Sequence, residues 1–183
     1  MADQPLSPTA AVLVIDLQTA MFDGVLTPPL YEAEALVARV RRILDWARAS
    51  GRKIAFIRHE EPAGEPLAVG APGWPVWPGL GQAADEPTFP KSVGDAFSEP
   101  TLGAWLKAAG VEEVILLGAQ TDQCVAATVQ GARSSGYGVT IVADAHSTWD
   151  WGGETAAAII ARHNATFAVA GAKLVATERL LMD

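Results

Sequence analysis

Short, wholly apolar runs alternate along this chain with longer stretches in which apolar positions recur every three or four residues. Ala11 to Ile15 is apolar throughout and ends at Asp16, which reads as a buried strand. Between Glu32 and Ser50, Leu36, Val40, Ile43, Leu44 and Ala47 share one face while Arg39, Arg41, Arg42 and Arg48 fall largely off it, an amphipathic helix closed by Gly51. Lys53 to Ile57 is a second strand. Thr101 to Ala109 reads as a helix, with Ser98 to cap its start, Pro100 in its first turn and Gly110 at its end. Val114 to Leu117 is the next strand, and from Cys124 onward Val125, Thr128, Val129 and Ala132 recur at helical spacing. Gly138 to Ala143 is a strand and Glu154 to Asn164 a helix. Phe167 to Ala170 and Leu174 to Ala176 are short strand candidates, the second leading into a brief C-terminal helix.

Alternating strands and helices, with strands nearly continuous in Val, Ile and Leu, predict an α/β fold built on a parallel sheet with helices on both faces. No fixed-period repeat and no linker divides the chain, so residues 1–183 are expected to form one domain. The stretch from Pro62 to Pro90 breaks the pattern. It holds seven of the twelve prolines together with Trp74 and Trp77, and a long insert of this kind is usually a lid or binding loop. A packing excursion or an oligomer contact is the alternative.

Composition narrows the classes of partner. A net charge of −8 argues against nucleic acid or an anionic membrane. No apolar run approaches the roughly 18 residues that span a bilayer. Residues 1–9 lack the basic and apolar regions of a secretory signal. The single cysteine forbids an internal disulfide, a CxxC redox pair or a zinc finger, which suits a reducing, cytoplasmic setting.

That cysteine is also the main chemical clue. Cys124 sits where an apolar strand turns into a helix, and a thiol in the first helical turn feels unpaired backbone N–H groups that favour the thiolate. The plainer reading is a small buried hydrophobe. In open α/β sheets, ligands bind beyond the carboxyl ends of the strands where strand order reverses. Asp16 ends the first strand and Cys124 follows a later one, so neighbouring strands would bring carboxylate and thiol to one crevice. Asp16 could then exchange a proton with the thiol or a leaving amine, or it could be a turn residue. Lys91, after the Pro-rich insert, is either solvated or an inward ammonium that steadies both anions.

Asp16 in Val-Leu-Val-Ile-Asp-Leu-Gln, Lys91 before Ser-Val-Gly-Asp-Ala-Phe-Ser, and Cys124 in Gly-Ala-Gln-Thr-Asp-Gln-Cys-Val together resemble the isochorismatase-like cysteine hydrolase superfamily. The similarity takes in Phe56-Ile57-Arg58-His59 and runs from Lys91 to about Asp150, in the expected order. The resemblance implies a three-layer α/β fold with a six-stranded, mostly parallel sheet in the Rossmann-like order 3-2-1-4-5-6. It implies a catalytic triad: Cys124 attacks a carbonyl carbon, Asp16 acts as base then acid, and Lys91 holds the ion network. Members carry a cis peptide that maps here to Ala119–Gln120, with the Gln120 and Cys124 N–H groups forming the oxyanion hole. They often assemble as dimers or tetramers, so a homo-oligomer is expected.

Two departures narrow the expectation. Nicotinamidases of the superfamily bind a metal through Asp-x-His and further histidines, whereas this chain reads Ile57-Arg58-His59-Glu60-Glu61, with His146 and His163 far away. No metal or other cofactor is therefore expected. The cysteine points to a small-molecule amide or ester opened through an acyl-thioester. The alternatives are isochorismate vinyl-ether hydrolysis with Asp16 as acid, or a non-catalytic binding or redox-sensing protein. The stretch Asp144 to Asp150 also resembles the subgroup that includes streptothricin hydrolase. Phe22, His59, Trp74, Trp77 and Trp149 are the candidate substrate-binding residues.

Overall fold

Every residue of β1 (Ala11–Ile15) is buried, and its alternating side chains enter two separate cores. Val12 and Val14 join Leu36, Val40, Ile43 and Leu44 of α1 (Ala33–Ala49), and Leu180 of α5 (Thr177–Leu180), on one face. Ala11, Leu13 and Ile15 join Leu102 and Leu106 of α2 (Pro100–Ala108), Val129 of α3 (Ala126–Ser134) and Phe167 of α4 (Ala156–Val169) on the other. A strand covered on both faces has no polar side, which is why its sequence is apolar without alternation. Each fully buried Leu or Ile contributes roughly 1.5–3 kcal/mol, so the two cores supply the main driving force.

The computed structural model describes residues 6–25 and 27–182. Its six-stranded sheet adds β2 (Ile54–His59), β3 (Thr88–Lys91), β4 (Glu113–Ala119), β5 (Gly138–Ser147) and β6 (Lys173–Val175). All pairings are parallel and the order is β3-β2-β1-β4-β5-β6. Chain order therefore reverses between β1 and β4, where a crevice opens past their carboxyl ends. Ile15 of β1 lies opposite Gly118 of β4, and a Cβ at Gly118 would run into the Ile15 backbone. Gly118 also takes a φ of 129°, so two constraints require glycine there. Among the described residues no helix is long and apolar enough to cross a membrane.

Two local expectations are corrected, at Phe167–Ala170 and at Ser98, and two regions gain detail. Phe167 to Ala170 is not a strand: α4 runs on through Val169, because buried Phe167 packs into the second core at helical spacing. Ser98 does not cap α2; its hydroxyl donates to the Asp95 carbonyl in the preceding turn, and Pro100 starts the helix without a side-chain cap. The helix near Cys124 opens with a π-helical turn, Thr121–Val125, before α3. The Pro-rich insert is ordered, with a 3-10 turn at Pro78–Leu80 and single bridges Gln18–Val76 and Glu61–Ala68. It also ends in β3, a strand the pattern did not reveal. Pro90 is tolerated there because β3 is an edge strand, paired with β2 on one side only.

Candidate active site

Asp16 follows β1 immediately and turns back with φ 49°, in the left-handed region. Its N–H bonds to the Ile57 carbonyl, so the carboxylate is aimed from the sheet's own hydrogen-bond ladder, and it is 0% exposed. Lys91 arrives from two strands away. Strands lie about 4.8 Å apart, and the lysine stem from the end of β3 crosses β2, where His59 is its register partner. Lys91 Nζ then meets Asp16 Oδ2 at 2.6 Å, His59 Nδ1 at 3.2 Å and Cys124 Sγ at 3.3 Å. Asp16, Lys91, Cys124 and His59 are thus brought together at the sheet's reversal point.

Cys124 comes from the other half of the sheet. The Ala119–Gln120 peptide at the end of β4 is cis. In the π-helical turn that follows, the Gln120 carbonyl accepts from the N–H groups of Gln123 and Val125 but not from that of Cys124 between them. The wide turn thereby withholds the Cys124 N–H from the carbonyl four residues back, to which an α-helix would bind it.

Charge and burial set the protonation of the pair. Burial pushes the Cys124 thiol up to about 12; the neighbouring Asp16 adds to this and Lys91 opposes it. The thiolate expected from the helix terminus is therefore not the resting form, because desolvation and a facing carboxylate outweigh the helix end. Asp16 is also raised above its usual value, chiefly by burial, with Lys91 pulling the other way. Asp16 Oδ1 is buried with no hydrogen-bond partner. An unpaired carboxylate oxygen facing a protonated thiol is poised to take its proton.

These groups open on a cavity of about 530 Å³ lined by Asp16, His59, Gln120, Cys124 and Trp149, and also by Met21, Glu61, Leu67, Gly94, Asp122, Gln123, Thr148 and Trp151. Trp149 is fixed at the rim by its Nε1–H bond to the Pro28 carbonyl, 2.7 Å. Three of the aromatic candidates lie outside the lining of this cavity. Phe22 and Trp77 stack on each other at 5.2 Å and line a separate apolar groove beside α1. Trp74 lies under the Arg58 guanidinium at 3.7 Å, a cation–π contact that turns it out of the cavity.

One atom each from Asp16, His59 and Cys124 lie within 4.8 Å of one another, a spacing that could hold a metal. The fit is poor, because the Lys91 ammonium stands within hydrogen-bond range of all three and already supplies the cation. The adjacent acids are engaged too: Glu60 pairs with Arg58, and Glu61 accepts from the Leu67 N–H.

Several structural partners escaped sequence reasoning. The buried Gln18 side chain accepts from the His59 N–H and donates to the His59 and Trp74 carbonyls, tying β1, β2 and the insert together. Thr121, the first residue of the π-helical turn, bonds to His146 Nδ1 at 2.8 Å, and His146 Nε2 bonds to Asn164 Oδ1 at 3.0 Å. Gln18 lies two residues after Asp16, the only hint available; nothing in the sequence pairs Thr121 with His146 and Asn164.

Comparison with known proteins agrees with this architecture. The profile of the isochorismatase domain matches residues 10–172. A streptothricin hydrolase of Streptomyces noursei is 37% identical over 144 residues, covering 76% of this chain and 50% of that protein. The chain thus spans about half the length of the streptothricin hydrolases it matches. The nicotinamidase of Escherichia coli strain K12 is 27% identical over 177 residues, covering 75% and 82% of the two chains. An isochorismatase structure from Pseudomonas putida KT2440 superposes with TM-score 0.87 at 30% identity, over 97% of this chain and 94% of that one. A cysteine hydrolase from Pseudomonas syringae pv. phaseolicola shares the fold at TM-score 0.90 and 20% identity, over 98% and 94% of the two chains. With the profile matching nearly its whole length, the chain belongs to the isochorismatase family.

Proposed function

We propose that this hydrolase-family protein cleaves a small-molecule amide through a covalent thioester on Cys124. The observation that carries the reading is Lys91 Nζ, held behind the cavity wall between two residues that line it, within reach of Asp16 Oδ2 and Cys124 Sγ. As Sγ attacks the carbonyl carbon, its proton passes to Asp16, whose Oδ1 is unpaired. Lys91 compensates the charge wherever it resides, on carboxylate or thiolate. The Gln120 and Cys124 N–H groups receive the developing oxyanion. Asp16 then protonates the departing amine and the C–N bond breaks. Water, deprotonated by Asp16, opens the thioester, releases the acid and restores the thiol.

Amides are favoured over isochorismate by charge. Glu61 and Asp122 line the cavity, and among its described lining residues there is no Lys or Arg to receive a dicarboxylate. The named substrates of the similar proteins, streptothricin and nicotinamide, support an amide but do not choose the acyl group. We further propose that the enzyme acts in the cytoplasm as a dimer or tetramer, a state that sedimentation would measure.

The test is acyl-enzyme trapping. An amide panel is incubated with the protein, quenched in acid and analysed by intact mass. An acyl adduct mapped to Cys124, absent from Cys124→Ala, is expected. Undiminished turnover by Cys124→Ala would overturn the thioester.

A further inference from the structure

The Lys91 contacts constrain a second residue. An ammonium has three N–H donors and no acceptor. All three have acceptors here: Asp16 Oδ2, Cys124 Sγ and His59 Nδ1. His59 Nδ1 must therefore carry its lone pair, because a proton there would point at the ammonium. A neutral imidazole with a bare Nδ1 has its proton on Nε2, across the ring. No described group pairs with Nε2, it is not among the buried unpartnered atoms, and the ring forms part of the cavity wall. Gln18 clamps the His59 backbone at both N–H and carbonyl, so the ring is presented from a fixed position.

We propose that His59 is a specificity residue held as the neutral Nε2–H tautomer, which selects amides carrying a second hydrogen-bond acceptor, such as a ring nitrogen or carbonyl, beside the scissile group. The assignment rests on reading the cavity as the substrate site. Lys91 keeps His59 from turning over or charging, so its donor is constant. Burial and Lys91 both hold the ring below its ordinary value, against the pull of Asp16, Glu61 and Glu60. One residue thus couples the ion network to recognition: one nitrogen steadies Lys91 and the other reads the ligand.

The first experiment needs no substrate. Long-range ¹H–¹⁵N correlation on the labelled full chain reads the tautomer of His59, assigned by its loss in His59→Gln. The neutral Nε2–H pattern, unchanged between pH 8 and 6, is expected. An Nδ1–H or imidazolium pattern at pH 7 would overturn the proposal, whether or not the protein hydrolyses amides. The second experiment measures protection of Cys124 from iodoacetamide by benzamide and the three pyridinecarboxamides, which differ only in a ring acceptor and its position. At least one pyridine isomer should protect at about 3- to 10-fold lower concentration than benzamide, the worth of one neutral hydrogen bond. In His59→Asn, whose short amide can still accept from Lys91 but no longer reaches the cavity, that preference should vanish. His59→Gln, which extends a donor toward the Nε2 position, should retain it. Equal protection by all four probes in the wild type, or an unchanged preference in His59→Asn, would refute the selection. Failure to find an acyl adduct would break the hydrolase reading while leaving the tautomer result standing.

Discussion

Two histidines flank the Cys124 turn, His146 buried and His59 half-buried, and their surroundings are opposite in kind. His146 is the middle of a closed chain. Asn164 Nδ2 donates to the Ala143 carbonyl, so its Oδ1 accepts from His146 Nε2–H, and His146 Nδ1 in turn accepts from the Thr121 hydroxyl. Every polar atom of this chain has a partner. Around His59 the chain is open, ending in an unpaired Asp16 oxygen, a protonated thiol and an imidazole edge facing a cavity. A satisfied polar network rigidifies what it joins, whereas buried groups left short of partners persist where something else must bind. The contrast separates the scaffold of the turn from its chemistry, though both use the same residue types.

The sharpest way to break this contrast is to remove a function from the open side and compare it with an equal change on the closed side. Asp16→Asn should lower turnover by about 10³- to 10⁴-fold, the upper range for a positioned base, while Thr121→Val costs less than about tenfold. The pH profile is a second readout. In the wild type, alkylation of Cys124 should fall on acidification as Asp16 is protonated above the ordinary carboxylate range, and Asp16→Asn should lose that limb. Equal losses in the two variants would erase the distinction.

Next in size is stability. Lys91→Met leaves Asp16 buried and unpaired, which costs about 3–5 kcal/mol at neutral pH. The sign with pH follows from the carboxyl group, already raised by burial and raised further without Lys91. Such a group adds stability that is complete below its unfolded value and lost as pH rises through its folded value. The deficit of Lys91→Met should therefore shrink on acidification, measured by urea unfolding from pH 7 to 4. A constant deficit would mean that Lys91 acts through packing alone.

The legibility of these regions in the sequence differed for the same physical reason. Strands β1, β2, β4 and β5 announce themselves because a sheet covered on both faces must be apolar throughout. Edge strand β3 did not, since Thr88-Phe89-Pro90-Lys91 pairs on one side and can carry a proline. The missing strand was masked by a false one at Phe167–Ala170, where an apolar helix end mimics a short strand. At the site, Asp16 and Cys124 were legible through resemblance and through their places at strand ends, and Lys91 through resemblance alone. The Thr121–His146–Asn164 chain was not, because hydrogen bonds between residues 18 to 25 positions apart leave no periodic trace. The placement of Trp74, Trp77 and Phe22 was illegible for a related reason: nothing in the sequence announces that Trp74 packs under Arg58 or that Phe22 stacks on Trp77.

The closed chain has its own test. Burial holds His146 down to about 4, against an ordinary 6.5. A base depressed on folding stabilises the native state above its unfolded value and loses that contribution as pH falls toward the folded one. Between pH 6.5 and 4 the loss amounts to about 3 kcal/mol. His146→Phe should cost about 1–3 kcal/mol at pH 7, because Thr121 and Asn164 are left unpaired, and should flatten that part of the pH profile. Asp16 titrates in the opposite sense in both proteins, so their difference isolates His146. If the two pH profiles run parallel, His146 is not buried as a neutral ring.

The smallest effect is expected at the cavity mouth, where two tryptophans differ as the histidines do. Trp149 is tied down by its bond to the Pro28 carbonyl. Trp151 is 78% exposed on a tight turn through Gly152 and Gly153, both at positive φ, closed by the bridge to Glu154. Trp151 gives the fold almost no buried area, so Trp151→Ala should leave thermal stability within about 0.5 kcal/mol of the wild type. It also stands on the cavity wall, where an aromatic face can stack on a planar amide; its loss should raise KM about threefold with little change in kcat. Trp149→Phe should show the reverse weighting, a stability loss of about 1 kcal/mol from the broken hydrogen bond and a smaller kinetic effect. An exposed indole that neither folds nor binds would have no reason to be held over the opening, and an unchanged KM in Trp151→Ala would show that substrate enters by another side.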